Sequence, residues 1–233
     1  MSPDELYQSL VKEIDQHSDY DFKNEHKEML YRRCHTPDVS ETLERIFTKY
    51  GRKITVNRSL DVVELGCSFG FLYLSEMLYG KYKYRSWIGY DIDKIGIQIA
   101  KKLSKRFKFN NCKFVHSAVS GLPDKTLSYV SKRPLSMNLE HKGHHKVKNT
   151  RFEELPKCDL LLVDIEGSED KLDLDKVDFQ ICILEANDKK NTQKILQQRI
   201  KPFKKKYKLV SSHAVNDQKS MFVFIKPQVS SNL

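Results

Sequence analysis

Four carboxylates stand at the ends of apolar runs: Glu64 after Asp61-Val62-Val63, Asp91 after Trp87-Ile88-Gly89-Tyr90, Asp164 after Leu160 to Val163, and Glu185 after Cys182-Ile183-Leu184. Between the first two lies a turn holding Gly66, Ser68 and Gly70, followed by the amphipathic run Phe71 to Gly80. Strand, glycine-containing loop, helix, strand, acid is the order of a nucleotide-binding βαβ unit. Small residues in the turn let the backbone approach a ligand closely. A carboxylate at the end of the second strand can accept from both hydroxyls of a ribose. The three-glycine spacing of a dinucleotide fingerprint is not met, because Ser68 stands between the glycines and the loop opens on an acid. A phosphate-binding P-loop is excluded, because no Gly-Lys-Ser/Thr follows.

The elements that must position these groups follow from the hydrophobic period. Residues 3–50 read as helical. Leu6, Leu10 and Ile14 recur at helical spacing behind a Ser2 cap and Pro3, and residues 23–33 continue that character. Thr36-Pro37-Asp38 breaks the run, and residues 39–51 form another helix ending at Gly51. Arg32, Arg33 and His35 lie near that break, where they either meet an anionic or polar substrate or form a solvated helix end; surface statistics favour the second. Strands are then expected over 60–65, 86–91 and 112–119, with helices over 71–79 and 94–106. Residues 120–150 carry Gly121, Pro123, Pro134, Gly143 and the group His141, His144 and His145, and read as a long polar loop. Those histidines have no carboxylate or cysteine at the spacing of a known metal site. Apolar strands follow at 158–164 and 179–187, then a helix over 191–207 that breaks near Pro202, then a closing hairpin over 208–215 and 220–226. Buried parallel strands read as continuous apolar runs of this kind. In open α/β sheets ligands bind at the carboxyl ends of the strands, so Glu64, Asp91, Asp164 and Glu185 are expected along one sheet edge. The expected division is an N-terminal helical extension over 1–55 able to cover the site, one α/β domain over 56–227, and a disordered tail over 228–233.

The net charge of +10, from 41 basic and 31 acidic residues, favours acidic partners such as RNA, a membrane surface or a nucleotide-linked substrate. Many of the lysines fall at helical spacing, as on a solvated face. Cys34, Cys67, Cys112, Cys158 and Cys182 are odd in number and form no CxxC pair. A disulfide framework or a zinc site is therefore not expected, and a reducing compartment is. Cys67, Cys158 and Cys182 sit in or beside apolar runs, where a free thiol acts as a small hydrophobe. There is no apolar signal core at the N-terminus and no run long enough to span a bilayer. A cytoplasmic protein without a membrane partner is expected.

The run Glu64-Leu65-Gly66-Cys67-Ser68-Phe69-Gly70 resembles motif I of S-adenosylmethionine-dependent methyltransferases. The C-terminal half is similar to the FkbM-like branch of class I methyltransferases: Phe152 to Leu155, then Asp164-Ile165-Glu166-Gly167-Ser168-Glu169, then Leu184-Glu185. Residues 117–121 resemble the segment that borders adenine in that family, and the likeness covers about residues 60–226. It implies a Rossmann-like α/β fold, with a mostly parallel central sheet, a C-terminal antiparallel hairpin and an N-terminal helical extension. It implies S-adenosyl-L-methionine as cofactor, with Glu64 near its amino-acid end. Gly66, Cys67, Ser68 and Gly70 would pass along its methionine and ribose. Asp91 and Ile92 would lie at the ribose, Ser117 and Ala118 at the adenine, and Asp164 beside the cofactor. Two departures stand out: Cys67-Ser68 replaces the usual small pair, and Asp91 stands where the branch often has Glu.

The resemblance implies O-methylation of a sugar or glycan hydroxyl. Methyl transfer is an in-line displacement, so the protein mainly positions the acceptor oxygen and assists its deprotonation. A sugar hydroxyl needs a general base or a metal at neutral pH. Asp164 and Glu166 are the base candidates. His213, in the final hairpin, has a suitable ordinary pKa, although an exposed histidine is the plainer explanation of it. Asp164, Glu185 and Asn187 are hard oxygen ligands that suit Mg2+ or Mn2+, in a placement similar to that of catechol-type O-methyltransferases. Glu169 is better explained as an acid at a helix N-terminus. His116 follows an apolar run and reads as a core or adenine-edge residue. Two other functions compete. An RNA ribose methyltransferase would use a Lys-Asp-Lys-Glu set, for which Asp164 and Glu185 serve but two lysines find no clear place. A catalytically inactive Rossmann-like binding module is disfavoured by acids at several strand ends, because buried carboxylates are costly without a function. Adenine amino methylation would want Asn/Asp-Pro-Pro-aromatic where this chain has Asp164-Ile165-Glu166-Gly167.

Overall fold

A computed structural model describes residues 2–17, 22, 24–35, 38–50, 59–133, 136–139, 143–165, 172, 174–187, 206–216 and 219–226. Three helices open the chain: α1 (Pro3–Ile14), α2 (Asn24–His35) and α3 (Asp38–Tyr50). The expected start of α1 is a full capping box, with Ser2 Oγ accepting from Glu5 N at 3.2 Å and Glu5 Oε2 accepting from Ser2 N at 2.7 Å. Then come β1 (Ser59–Leu65), α4 (Phe71–Tyr79), β2 (Lys83–Asp91), α5 (Lys94–Arg106) and β3 (Cys112–His116). After an inserted segment follow β8 (Cys158–Val163), β9 (Phe179–Asn187), β10 (Lys208–Asn216) and β11 (Lys219–Ile225).

These strands form one seven-stranded sheet in the order β10-β11-β9-β8-β1-β2-β3. β1, β2, β3, β8 and β9 run parallel, and β11 pairs antiparallel with both β9 and β10. The chain moves outward from β1 through β2 to β3, then returns to the other side of β1 at β8. The crevice between β1 and β8 is therefore the switch point where an open α/β sheet binds ligands. Alternation along the strands sorts the core into two faces. Val62, Leu160, Leu162, Ile181, Ile183 and Val223 face one way, into a cluster shared with α1 to α5. Val63, Leu161, Val163, Cys182, Leu184 and Phe222 face the other. The N-terminal helices thus share their hydrophobic core with the sheet. Among the described residues no helix is long and apolar enough to cross a membrane.

Two expectations need correction. The single strand over 112–119 breaks at Ser117, and β4 (Ala118–Ser120) leaves the main sheet. The expected loop over 120–150 contains β5 (Thr126–Arg133), β6 (Ser136–Leu139) and most of β7 (His145–Arg151), which with β4 build a four-stranded sheet in the order β4-β7-β5-β6. The helix expected over 191–207, except its last two residues, and the tail over 228–233 lie outside the described residues.

Candidate active site

The loop after β1 is shaped by close approaches. Gly66 has φ +87°, and a Cβ there would lie 1.7 Å from the carbonyl oxygen of Asp164, so only glycine lets the ends of β1 and β8 come together. Gly66 N and Cys67 N both donate to Tyr90 O, at 2.8 and 3.1 Å, and Asp164 N donates to Leu65 O at 2.9 Å. These bonds tie the loop to the ends of β2 and β8. Gly70, at φ +71°, donates to Cys67 O at 2.7 Å and starts α4. Asp91 holds the middle of the loop: Oδ2 accepts from Ser68 N and Oδ1 from Asp93 N, both at 2.7 Å. Ser68 has φ 47°, and its buried Oγ finds no hydrogen-bond partner among the described residues. A buried hydroxyl in that condition suits a ligand that completes it.

Glu64 lies below the loop and is 2% exposed. Its Oε2 accepts from the indole N–H of Trp87 at 2.7 Å. Burial pushes its pKa up to about 8; the Trp87 bond and Arg33 pull it down, while Asp91 and Asp164 push it up. Asp91 is pushed up to about 7, by burial first and then by Asp93, against the backbone N–H groups of Asp93, Ser68 and Ile92. The Cys67 thiol is raised far above its ordinary value by burial, with Glu64 and Asp91 adding to the effect, so it is an inert packing group.

On the face shared with the N-terminal helices, a cavity of about 450 Å³ opens beside the loop. Its floor is two cross-strand rows. Glu64, Leu162, Ile183, Val223 and Ser211 stand in register across β1, β8, β9, β11 and β10, and all five line the cavity. Two residues further along the parallel strands come Gly66, Asp164 and Glu185, and Met221 pairs with Glu185; all four line it too. Its roof is α3, through Thr42, Arg45, Ile46 and Lys49 at helical spacing, with Arg33 of α2 beside them. Glu76 anchors this roof: its buried carboxylate accepts from Ser40 N at 2.9 Å, from the Tyr84 hydroxyl at 2.7 Å and from the Ser40 hydroxyl.

Three of the four strand-end acids, Glu64, Asp164 and Glu185, therefore meet in one cavity, while Asp91 sits outside its lining, under the loop. Ile92 packs against the second sheet's cluster of Ala118, Leu127, Tyr129, Leu139 and Val147. Ser117 N donates to Asp91 O at 2.9 Å, and its hydroxyl bonds Lys148 O at 2.9 Å and Thr150 Oγ1 at 2.8 Å, which ties β7 to the main sheet. His116 Nε2 lies 3.1 Å from Ile92 O. Glu166 falls outside the described residues, as do the side chains of Asn187 and His213. The backbone of His213 continues the second row, paired with Met221. Among the described residues no group of three or more His, Cys, Asp or Glu is placed to hold a metal ion; of the expected Mg2+ or Mn2+ ligands, Asp164 and Glu185 line the cavity and the Asn187 side chain lies outside the described residues. Arg33 reaches the cavity, whereas Arg32 pairs with Glu28 at 2.5 Å and His35 with Asp4 at 3.3 Å. Arg45 and Lys49 were not singled out from sequence. Their signal is the spacing 42, 45, 46, 49, which puts two cations on the same stripe as Ile46.

No family model matches the chain, and no curated protein matches it. Solved structures do. The FkbM methyltransferase from Methylobacillus flagellatus KT superposes with a TM-score of 0.52 at 12% identity, covering 92% of this chain and 58% of that one. An rRNA methylase from Escherichia coli superposes with a TM-score of 0.50 at 12% identity, covering 94% of this chain and 76% of that one. At such identities the likeness establishes the fold, a Rossmann-like class I methyltransferase fold, with a C-terminal antiparallel pair.

Proposed function

We propose that the chain is an S-adenosylmethionine-dependent methyltransferase that methylates an acceptor hydroxyl. The observation that carries this proposal is the loop from Gly66 to Gly70, pinned by Asp91 and holding the buried, partnerless Ser68 hydroxyl beside the switch point. These residues fit the cofactor. Asp91 keeps lone pairs for ribose hydroxyls beyond the two it gives to Ser68 N and Asp93 N. Glu64 offers a buried carboxylate to an ammonium group, and a cation there would favour its ionised form. When bound, the cofactor supplies an activated methyl group on a sulfonium.

The chain's own task is to orient the acceptor and take its proton. Asp164 and Glu185 stand side by side at the ends of β8 and β9 and open onto the cavity. A carboxylate there can receive the hydroxyl proton as the methyl group departs. Glu166 and His213 remain proposed partners in that transfer on the strength of the sequence alone. The aliphatic floor of Leu162, Ile183, Val223 and Met221 excludes water from around the acceptor and suits a hydroxyl carried on an apolar body. A sugar or glycan acceptor rests on the resemblance. Asp164 and Glu185 are hard oxygen ligands that, with Asn187, would also suit Mg2+ or Mn2+ as the resemblance implies; as carboxylates they serve the proton transfer directly.

Calorimetric titration with S-adenosylhomocysteine tests the proposal. Micromolar binding is expected, with Asp91→Ala weakening it at least about a hundredfold through loss of charge-assisted hydrogen bonds and of the loop's anchor. No binding to the wild-type chain would overturn it.

A further inference from the structure

The charge of this chain is spread unevenly. Residues 94–151 hold 14 Lys and Arg against two acids, Asp124 and Glu140, while the rest of the chain holds 27 against 29. The whole excess of +10 therefore comes from one stretch, and from Lys94 to Pro123 there is no acid at all. The fold gathers that stretch at one end of the main sheet. It comprises α5, the edge strand β3 on which α5 packs, and the second sheet, which Ser117 and Ile92 tie to the end of β2. We propose that this end of the molecule is a docking surface for single-stranded RNA, held by its phosphate backbone.

An ordinary solvated face intersperses both signs of charge, and this one does not. On α5, Lys94, Gln98, Lys101 and Lys105 form an exposed stripe at helical spacing, about 16 Å long at 1.5 Å per residue. Lys102 turns aside to Glu13 of α1, whereas Lys94, Lys101 and Lys105 form no ion pair among the described residues. On β7, Lys146 and Lys148 are exposed two residues apart, and their partners on β5 are Ser128 and Thr126. That side of the second sheet thus offers ammonium and hydroxyl groups, while Leu127, Tyr129 and Val147 turn inward. Such donors match phosphate oxygens. His145, exposed beside Lys146 with its ring 5.1 Å from that of Tyr129, gives an unpaired base a face to stack on. An acidic protein or an anionic bilayer calls for apolar anchors. Among the described residues the exposed large hydrophobics, Met29 and Tyr31, lie on α2 instead. RNA is preferred to DNA because its sugars carry the hydroxyl that the proposed reaction methylates; that choice alone rests on the methyltransferase proposal.

The test is fluorescence anisotropy of the full chain with a labelled single-stranded RNA of about 20 nucleotides, between about 50 and 200 mM salt. Each neutralised phosphate of a single strand adds about −0.7 to the slope of log affinity against log salt, so a slope of about −3 or steeper is expected. Lys101→Ala/Lys105→Ala and Lys146→Ala/Lys148→Ala should each weaken binding and make the slope shallower by about 1.4. Arg32→Ala/Lys81→Ala removes two cations that already pair with Glu28 and Glu44, and should leave the slope unchanged. All of these positions are exposed, and the thermal midpoint of each variant is expected to stay at the wild-type value, which separates a lost contact from a lost fold.

No binding of the RNA at about 50 mM salt, a slope near zero, or a slope that falls as far in the Arg32/Lys81 variant as in the other two would overturn the inference. So would tighter binding to phosphatidylserine vesicles, to polyglutamate or to DNA of the same sequence. If the RNA binds as expected but the chain never binds S-adenosylhomocysteine, the methyltransferase proposal fails and the surface stands without it. Binding of S-adenosylhomocysteine without RNA gives the reverse.

Discussion

Glu64→Gln is the most informative single substitution in this protein. Glu64 is 2% exposed, and burial raises its pKa from 4.5 to about 8. Between those values the unfolded chain releases a proton that the folded chain keeps. Stability therefore falls as pH rises, by up to about 1.4 kcal/mol per pH unit. The contribution is complete below the unfolded value and gone above about pH 8, a difference on the order of 5 kcal/mol. Glutamine keeps the shape and can still accept from the Trp87 N–H, but it does not titrate. Urea unfolding at intervals between pH 5 and 8 reads the difference, and Trp87, the single tryptophan of the chain, supplies the signal from inside the site. The wild-type midpoint is expected to fall steeply across that range. The variant should keep only the smaller slope from Asp91, whose pKa is raised to about 7. In the folded wild type, Trp87 emission is expected to titrate near pH 8, and S-adenosylmethionine should move that midpoint down, because its ammonium favours the carboxylate. Parallel wild-type and variant slopes would refute the reasoning, since Glu64 would then be ionised throughout, with the Trp87 bond outweighing burial.

Gly66→Ala should destabilise by about 3 kcal/mol or more, since its Cβ would enter the Asp164 carbonyl at a left-handed φ; an unchanged thermal midpoint would remove the close approach. Glu76→Ala leaves Ser40 N and the hydroxyls of Ser40 and Tyr84 without their acceptor, and should cost about 3 kcal/mol and speed amide exchange along α3 more than along α5. Ser117→Ala should cost about 1–3 kcal/mol and loosen β7, seen as faster exchange at Thr150, with S-adenosylhomocysteine affinity as the check on any adenine role.

The segments that sequence placed best were those whose buried face is apolar. β1, α4, β2 and α5 each carry an uninterrupted hydrophobic period, and the structure gives them within a few residues of expectation. β7 of the second sheet escaped because two of its three buried positions are polar. On β7, Val147 is the only aliphatic residue fully inside, while Asn149 and Thr150 are buried and satisfied by hydrogen bonds. Asn149 Nδ2 donates to Leu122 O and Asp124 O, at 3.0 and 2.9 Å, and its Oδ1 accepts from Ser120 Oγ at 3.1 Å. A strand held in this way shows no alternation of apolar residues, and the flanking glycines and prolines then read as loop. The place of Arg45 and Lys49 on the cavity wall was hidden for a related reason: on a single helix, cations beside Ile46 look like a solvated face until the sheet beneath is known.

What was legible, but only in pairs, is the cavity floor. Glu64 and Gly66, Leu162 and Asp164, Ile183 and Glu185 each sit two residues apart, and a strand sends residues two apart to one face. The parallel register then aligns the three pairs, so that Glu64, Leu162 and Ile183 form one row and Gly66, Asp164 and Glu185 the next. The same spacing explains why Asp91 is set apart. On β2 the residue two before it is Gly89, where a Cβ would come within 2.7 Å of the Cys67 sulfur. That position gives room to the loop and adds nothing to the floor. Asp91 accordingly serves the loop backbone, whereas the other three acids serve the space under α3. The two tasks of a methyl-transferring site, holding a nucleoside and presenting an acceptor, would then divide between the two sides of β1. If so, Asp91→Ala and Glu185→Ala should act on different ligands and their effects should add, because groups that serve separate ligands contribute independently. A strong coupling between them would mean that one ligand spans both places.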